Sequence, residues 1–213
     1  MTLRLVLFLL GNTWLMVISS PCAQGQPKLS TADKIANRLC WQEGRRLEWG
    51  DFQARQYPSA DGHDPSTLSA VTAVVMPVVQ TTDSRGTLTY RVDCVFVRDF
   101  SWVNSQVTTA EDRASTLAHE QVHFDLAELI VRKVRRRIAE CTRSGEDVFG
   151  SAAEADIQCL LAEYNPLNDL YDEDVNFRPP AVEAAAQRRW ELRLARELRA
   201  LDRYKSTATT CPD

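Results

Sequence analysis

Beyond residue 25 the sequence lacks any apolar stretch long enough to cross a bilayer. It also lacks an excess of positive charge, because 25 Lys and Arg stand against 29 Asp and Glu for a net charge of −4. This balance argues against a nucleic-acid-binding protein. There is no glycine-rich phosphate loop, no Gly-x-Ser-x-Gly elbow and no dinucleotide fingerprint. The absence of a Cys-x-x-Cys pair argues against a zinc–thiolate site.

The first 25 residues have the pattern of a secretory signal. Arg4 is followed by an interrupted apolar core and then by small residues up to Gly25. A membrane anchor is the alternative, but the apolar core is short for a span. We therefore predict a secreted or periplasmic protein with a signal peptide at 1–25, a single domain at 26–205 and a polar C-terminal tail at 206–213. No stable membrane span is expected after the signal is removed.

Export permits disulfides, and the chain has six cysteines. If Cys22 leaves with the signal, five remain, so at least one is unpaired or pairs between chains. Cys141 and Cys159 each lie at the edge of a helical segment with a polar loop between them, which favours a disulfide between these two. The pairing of Cys40, Cys94 and Cys211 stays open.

The order of predicted elements indicates an α+β domain. A short helix is expected to end at Cys40, followed by two strands at 69–79 and 87–97 that form an antiparallel hairpin. The spacing Thr108-x-x-Glu111 predicts the start of a helix of over 30 residues that ends at Ser144-Gly145. Its basic run at 132–137 is expected to face solvent. A second helix at 152–163 is broken at 165–169, and Pro179-Pro180 opens the last helix.

The long helix carries the pattern His119-Glu120-x-x-His123. Residues four apart lie on one helical face, so both imidazoles can reach one Zn²⁺ ion. Glu120 flanks the metal without binding it and can act as general base on a water that the metal acidifies. The alternative is a pair of ordinary helix histidines. With a metal, the pattern predicts hydrolysis of a peptide or protein substrate.

A catalytic zinc site usually takes three protein ligands, so a third must come from elsewhere in the chain. Helical geometry turns Glu128 away from the two histidines, and it leaves Asp125 to support the site by hydrogen bonding from outside the ligand set. The remaining candidates are polar or acidic side chains: His63, Glu163, Asp169, Asp172, Glu173 and Asp174. We favour Asp172, because Tyr171 beside it could act in catalysis by supplying a hydroxyl to a developing oxyanion. A solvated acidic patch without a ligand is the alternative.

The stretch from His119 to Glu128, together with the upstream Leu47-Glu48-Trp49-Gly50-Asp51-Phe52, resembles a bacterial family of predicted secreted zinc-dependent proteases, catalogued as a domain of unknown function. The similarity runs from about Trp41 to Trp190. It implies a zincin-like fold, in which a small antiparallel sheet packs on the long helix and on further C-terminal helices. It also implies an exported metallopeptidase.

One departure from the family pattern concerns the third ligand. In the family a Tyr-Asp pair is followed five residues later by His-Gly, whereas Tyr171-Asp172 is followed here by Phe177-Arg178. If the histidine is the family's ligand, this site is weakened; if the aspartate is, Asp172 keeps that role. The main prediction is a zinc metallopeptidase, and the alternative is a non-catalytic envelope or interaction protein on a degenerate zincin scaffold.

Overall fold

The structure, a computed structural model, describes residues 37–58, 64–82, 84–176 and 179–207, without the side chain of Ser151. The predicted signal segment, His63, Phe177 and Arg178 lie outside the described residues. Four helices follow a β-rich half: α1 (Ala110–Ser144), α2 (Ser151–Ala162), α3 (Tyr164–Val175) and α4 (Pro180–Ala200). Among the described helices, none combines the length and apolarity that crossing a bilayer requires.

Seven short strands precede α1 in the described chain. They are β1 (Arg38–Cys40), β2 (Ala70–Val71), β3 (Val74–Val75), β4 (Val78–Thr82), β5 (Leu88–Val92), β6 (Val95–Val97) and β7 (Trp102–Val103). They pair antiparallel in three small sheets, β1-β6-β3, β2-β7 and β4-β5. The predicted α+β class, with small antiparallel sheets, a long helix and C-terminal helices, is confirmed.

The predicted hairpin is present, but each of the two predicted strands is divided into shorter strands. Only β4 and β5 form it, in a register that pairs Val78 with Val92 and Thr82 with Leu88. The first predicted strand is split because β2 pairs with β7 and β3 with β6. The predicted helix ending at Cys40 is wrong at residues 38–40, where the backbone forms β1 against β6. Partner strands far along the chain decide both outcomes.

Helix α1 has 35 residues and is therefore about 52 Å long. Its N-cap is Thr109, one residue after the predicted Thr108. The Thr109 hydroxyl accepts a hydrogen bond from the backbone N–H of Asp112 at 3.0 Å. Its C-cap is Gly145, as predicted, in the left-handed region with φ 73°. Glycine suits that position because it has no Cβ to clash.

The main core lies between α1 and the β-rich half. Trp41, Leu47 and Phe52, from the segment between β1 and β2, are buried there, together with Phe96 and Phe124. A second cluster joins α1 to α3 and α4; its buried members are Val122, Leu126, Leu129, Tyr171, Val175, Ala186, Trp190 and Leu194. Helix α1 therefore contacts both halves of the domain and fixes their positions.

The predicted break at 165–169 is wrong, because α3 runs through it from Tyr164 to Val175. Pro166 is compatible with a helix there, since in the first turn its missing N–H removes no helical hydrogen bond. The sequence pattern predicts that Pro166 breaks a helix, whereas this proline lies in the first turn of α3. The acidic residues 169–174 are consequently helical.

The predicted Cys141–Cys159 disulfide is also wrong. Cys141 is a free thiol with no exposed surface, and it is part of the main core. Cys159 is disulfide-bonded, so its partner is another cysteine. The position of Cys141 near a helix end suggested a link across the following loop. Its direction on the helix instead points the thiol into the core.

A buried ionic network joins the middle of α1 to the C-terminal segment. Glu128 and Arg132 are 0% and 2% exposed, and their side chains pair at 2.8 Å. Ser206 donates to Glu128 from its backbone N–H at 2.9 Å and from its hydroxyl at 2.6 Å. Arg132 is thus buried and the Arg135 side chain is only 11% exposed, contrary to the predicted solvated run, whereas Arg136 is about half exposed. Ser206, the first residue of the predicted C-terminal tail, is therefore itself buried.

Candidate metal centre

Helix α1 presents His119 and His123 on one face, as their four-residue spacing requires. Their Nε2 atoms are 3.0 Å apart. Helix α3 packs against this face and brings Asp172 to it, so that Oδ1 lies 3.0 Å from His119 Nε2 and 3.3 Å from His123 Nε2. These three side chains form a group that could hold a metal ion. The predicted ligand set of two histidines and Asp172 therefore converges at one point.

The spacing of these ligand atoms suits a small divalent ion. Zinc binds imidazole nitrogen and carboxylate oxygen at about 2.0–2.2 Å, which places neighbouring ligands of a tetrahedron about 3.3–3.5 Å apart. The observed edges of 3.0, 3.0 and 3.3 Å are close to those of such a tetrahedral face. The side chain of Asp172 is 41% exposed. Within the described chain, the group is therefore open to solvent on that side.

The charges of the group are strongly coupled. Burial acts to raise the pKa of Asp172, but hydrogen bonds with His119 and His123 outweigh it and hold that pKa well below its usual range. Burial acts to lower the pKa of His123, but the hydrogen bond with Asp172 and the negative charge of Glu120 raise that pKa to about 9. Carboxylates therefore place negative charge where a cation would bind.

Glu120 is 4% exposed and follows the first histidine on α1. Within the described part of the chain, its Oε2 atom is buried and has no hydrogen-bond partner. An unpartnered buried carboxylate oxygen is costly and rare in a folded protein. Its position next to the ligand group is the one predicted for a general base, and its free oxygen can accept a proton there.

Tyr171 lies behind the ligands, and the predicted oxyanion role finds no support in its contacts. Its ring stacks on His119 with centroids 4.7 Å apart, and the side chain has no exposed surface. Its hydroxyl donates to Gln187 and lies 3.4 Å from the backbone oxygen of His119. Burial raises the pKa of Tyr171 well above its usual range. The tyrosine therefore holds the His119 ring in place.

Asp125 lies outside the ligand group and joins α1 to the segment between β1 and β2 by hydrogen bonding; its predicted support of the site stays a prediction. Its Oδ1 accepts hydrogen bonds from Trp41 Nε1 and from Gln121 Nε2, both at 2.8 Å. Gln121 also accepts from the backbone N–H of Leu47 at 2.8 Å. Burial raises the pKa of Asp125, although these two donors oppose the shift. The segment that carries Trp41 and Leu47 is thereby fixed against the histidine-bearing turns.

The other candidate third ligands do not join the group. Asp174 accepts from the Trp190 indole at 2.9 Å, and Glu163 pairs with Lys133 at 2.6 Å. Asp169 and Glu173 are exposed. His63 lies outside the described residues. Of the acids weighed from the sequence and described by the structure, Asp172 alone is in the ligand group.

Two polar residues near the ligands escaped the sequence analysis. Asn168 Oδ1 lies 2.8 Å from His123 Nδ1, and Asn176 donates to Asp172 Oδ1 at 3.2 Å. Asn168 lies one turn before Asp172 on α3, and Asn176 caps the end of that helix, four residues after Asp172. The mistaken break at 165–169 concealed the spacing of Asn168 and Asp172, which on a helix places both on one face.

A groove between α1 and α4 does not include the three ligands. Its lining consists of Arg46, Val122, Asp125, Arg188, Glu191, Leu192, Ala195 and Leu198. Compared with protein-family models, curated proteins and solved structures, the chain shows no match. Site geometry must therefore carry any functional assignment.

Proposed function

We propose that this protein is a zinc-dependent hydrolase that cleaves peptide bonds, with His119, His123 and Asp172 as ligands and Glu120 as general base. The observation that carries the proposal is the buried, unpartnered Oε2 of Glu120 beside three converging ligand atoms. The pattern of a secretory signal at the start of the sequence agrees with an exported hydrolase.

The donor set agrees with zinc, which catalytic sites commonly hold by three protein ligands with one open position. Two histidines and one carboxylate also bind iron(II) in oxygenases. Glu120 favours hydrolysis, because a proton acceptor beside the ligands serves the activation of water. Zinc bound here would supply a Lewis acid that polarises the scissile carbonyl and makes the attacking water more acidic.

The chain's own residues then divide the remaining work. Glu120 takes the proton of the attacking water at Oε2 and passes it to the leaving amine. Its lack of a competing hydrogen bond in the described chain leaves that oxygen available. Tyr171 and Asn168 hold the two imidazole rings, and the exposed side of Asp172 leaves room for the peptide.

The test compares the purified mature protein with Glu120→Gln, which keeps the shape of the side chain and removes its basicity. Both forms are expected to hold near-stoichiometric zinc by elemental analysis, which also detects iron. Hydrolysis of a fluorogenic peptide library should fall by about 100-fold or more in Glu120→Gln. Glu140→Gln, an exposed site on the same helix, is the matched control and should keep wild-type activity.

Two outcomes contradict the proposal. If the folded wild-type protein holds no zinc, the proposed metal site is refuted. Stoichiometric zinc without hydrolysis in the wild type favours the non-catalytic interaction protein instead.

A further inference from the structure

Both ring nitrogens of His123 have a polar neighbour. Nε2 belongs to the ligand group, 3.3 Å from Asp172 Oδ1. Nδ1, on the other side of the ring, lies 2.8 Å from Oδ1 of Asn168. The side chain of His123 is 13% exposed, so water has little access to replace this contact. The two neighbours together fix the plane of the ring.

The chemical nature of Asn168 restricts the state of the imidazole. An amide oxygen accepts hydrogen bonds and cannot donate them, so Nδ1 must carry the hydrogen in this contact. In a neutral imidazole the other nitrogen then keeps its lone pair. That nitrogen is Nε2, the atom that faces His119 and Asp172. A metal ion requires this lone pair.

Helix α3 supplies the third ligand and this hydrogen-bond acceptor from the same face. Asn168 and Asp172 are four residues apart, which matches the spacing of His119 and His123 on α1. One turn earlier, the Tyr164 hydroxyl lies 3.4 Å from the backbone oxygen of His123. Tyr164 therefore contacts the backbone of His123, and its side chain also hydrogen-bonds Asn168, which contacts the His123 ring.

We infer that Asn168 is a positioning residue that selects the Nδ1–H tautomer of His123 and thereby directs Nε2 to the metal. This inference rests on the proposed zinc site and adds a residue that neither the sequence motif nor the ligand set includes. Such outer hydrogen bonds to ligand histidines typically change metal affinity by 10- to 100-fold.

The experiment measures zinc affinity by competition with a chromophoric chelator in the wild type and three variants. Asn168→Leu keeps approximate size and removes the acceptor, so its affinity should fall by about 10- to 100-fold. Asn168→Asp keeps an acceptor at the same place and should bind at least as tightly as the wild type. Asn165→Leu, the same change at an exposed position of α3, is the matched control and should stay within about threefold.

A second measurement does not depend on any variant folding. Nitrogen-15 chemical shifts of histidine side chains in the zinc-loaded wild type should show His123 protonated at Nδ1 and metal-bound at Nε2. Metal binding through Nδ1 would overturn the inference. So would an affinity of folded Asn168→Leu within threefold of the wild type, or an Asn168→Asp variant as weak as Asn168→Leu.

These results distinguish the role of Asn168 from the zinc site itself. Wild-type zinc binding that is insensitive to Asn168→Leu refutes the role of Asn168 and leaves the proposed site intact. A folded wild type that takes up no zinc refutes the proposed function and this inference together.

Discussion

Helix α1 carries two clusters of charged side chains that differ in how their polar atoms are satisfied. Glu128 and Arg132 are buried, and both oxygens of Glu128 have partners. In the cluster of His119, Glu120 and His123, ligand atoms converge with Asp172 and one carboxylate oxygen of Glu120 lacks a partner in the described chain. The carboxylate of Glu128 needs no further hydrogen-bond partner, whereas the histidine cluster is suited to bind an additional group such as a metal ion. Two clusters on one helix can therefore have opposite roles, structural and functional.

The largest expected effect concerns the buried cluster. Glu128→Ala leaves the Arg132 guanidinium without its partner, which should lower the free energy of unfolding by about 3–5 kcal/mol. Urea denaturation of the metal-free protein, followed by tryptophan fluorescence, measures this loss. Arg136→Ala is the matched control, because Arg136 pairs with Glu140 at 3.8 Å with both side chains about half exposed. It should cost less than about 1 kcal/mol. Equal losses in the two variants would show that burial does not distinguish these charges.

The next effect concerns the open cluster and depends on metal. Zinc at about 100 times its dissociation constant should stabilise the wild type by about 2.7 kcal/mol. Asp172→Ala should lose most of this stabilisation, because it removes one of the three ligands. Glu173→Ala changes the exposed neighbour and should keep it. Thermal denaturation with zinc and with a chelator measures both variants. Full zinc stabilisation of Asp172→Ala would remove this residue from the ligand set.

The smallest effect concerns Tyr171, at the boundary between ligand support and core. Tyr171→Phe removes the hydroxyl that contacts Gln187 and should cost about 1 kcal/mol of stability. Because the ring still stacks on His119, peptide hydrolysis should change by only a few-fold. A loss of about 100-fold at unchanged zinc affinity would instead restore the oxyanion role predicted from the sequence. Parallel denaturation and turnover measurements distinguish the two cases.

The parts of the site that follow from local spacing were predictable. The pair His119 and His123 required only a helix, and the apolar repeat from Leu117 to Ile138 indicated one. Asp172 was named from its chain position and its neighbour Tyr171, and the structure brings it to the histidines. The catalytic role of Tyr171 stays a prediction, because the direction of its side chain depends on how α3 packs against α1 and α4, and its hydroxyl there contacts Gln187.

The features that depend on long-range contacts were not predictable. The first predicted strand is divided because β2 pairs with β7 and β3 pairs with β6, and both partners lie further along the chain. Pro166 can end one helix or lie within the first turn of another, and the sequence contains no feature that decides between these outcomes. Arg132 was expected in water because charged residues are rarely buried without a partner. Its partners include Leu198, whose backbone oxygen is 2.6 Å away and 66 residues later in the chain.

The contact between Ser206 and Glu128 also bears on when the protein can finish folding. These residues are 78 positions apart, and Ser206 lies almost at the end of the described chain. Synthesis proceeds from the N-terminus, so α1 is complete long before its buried carboxylate can meet this partner. Until then, closing the core would bury Glu128 with part of its hydrogen bonding missing, which is unfavourable. Final folding is therefore delayed until Ser206 has been synthesised and can meet Glu128.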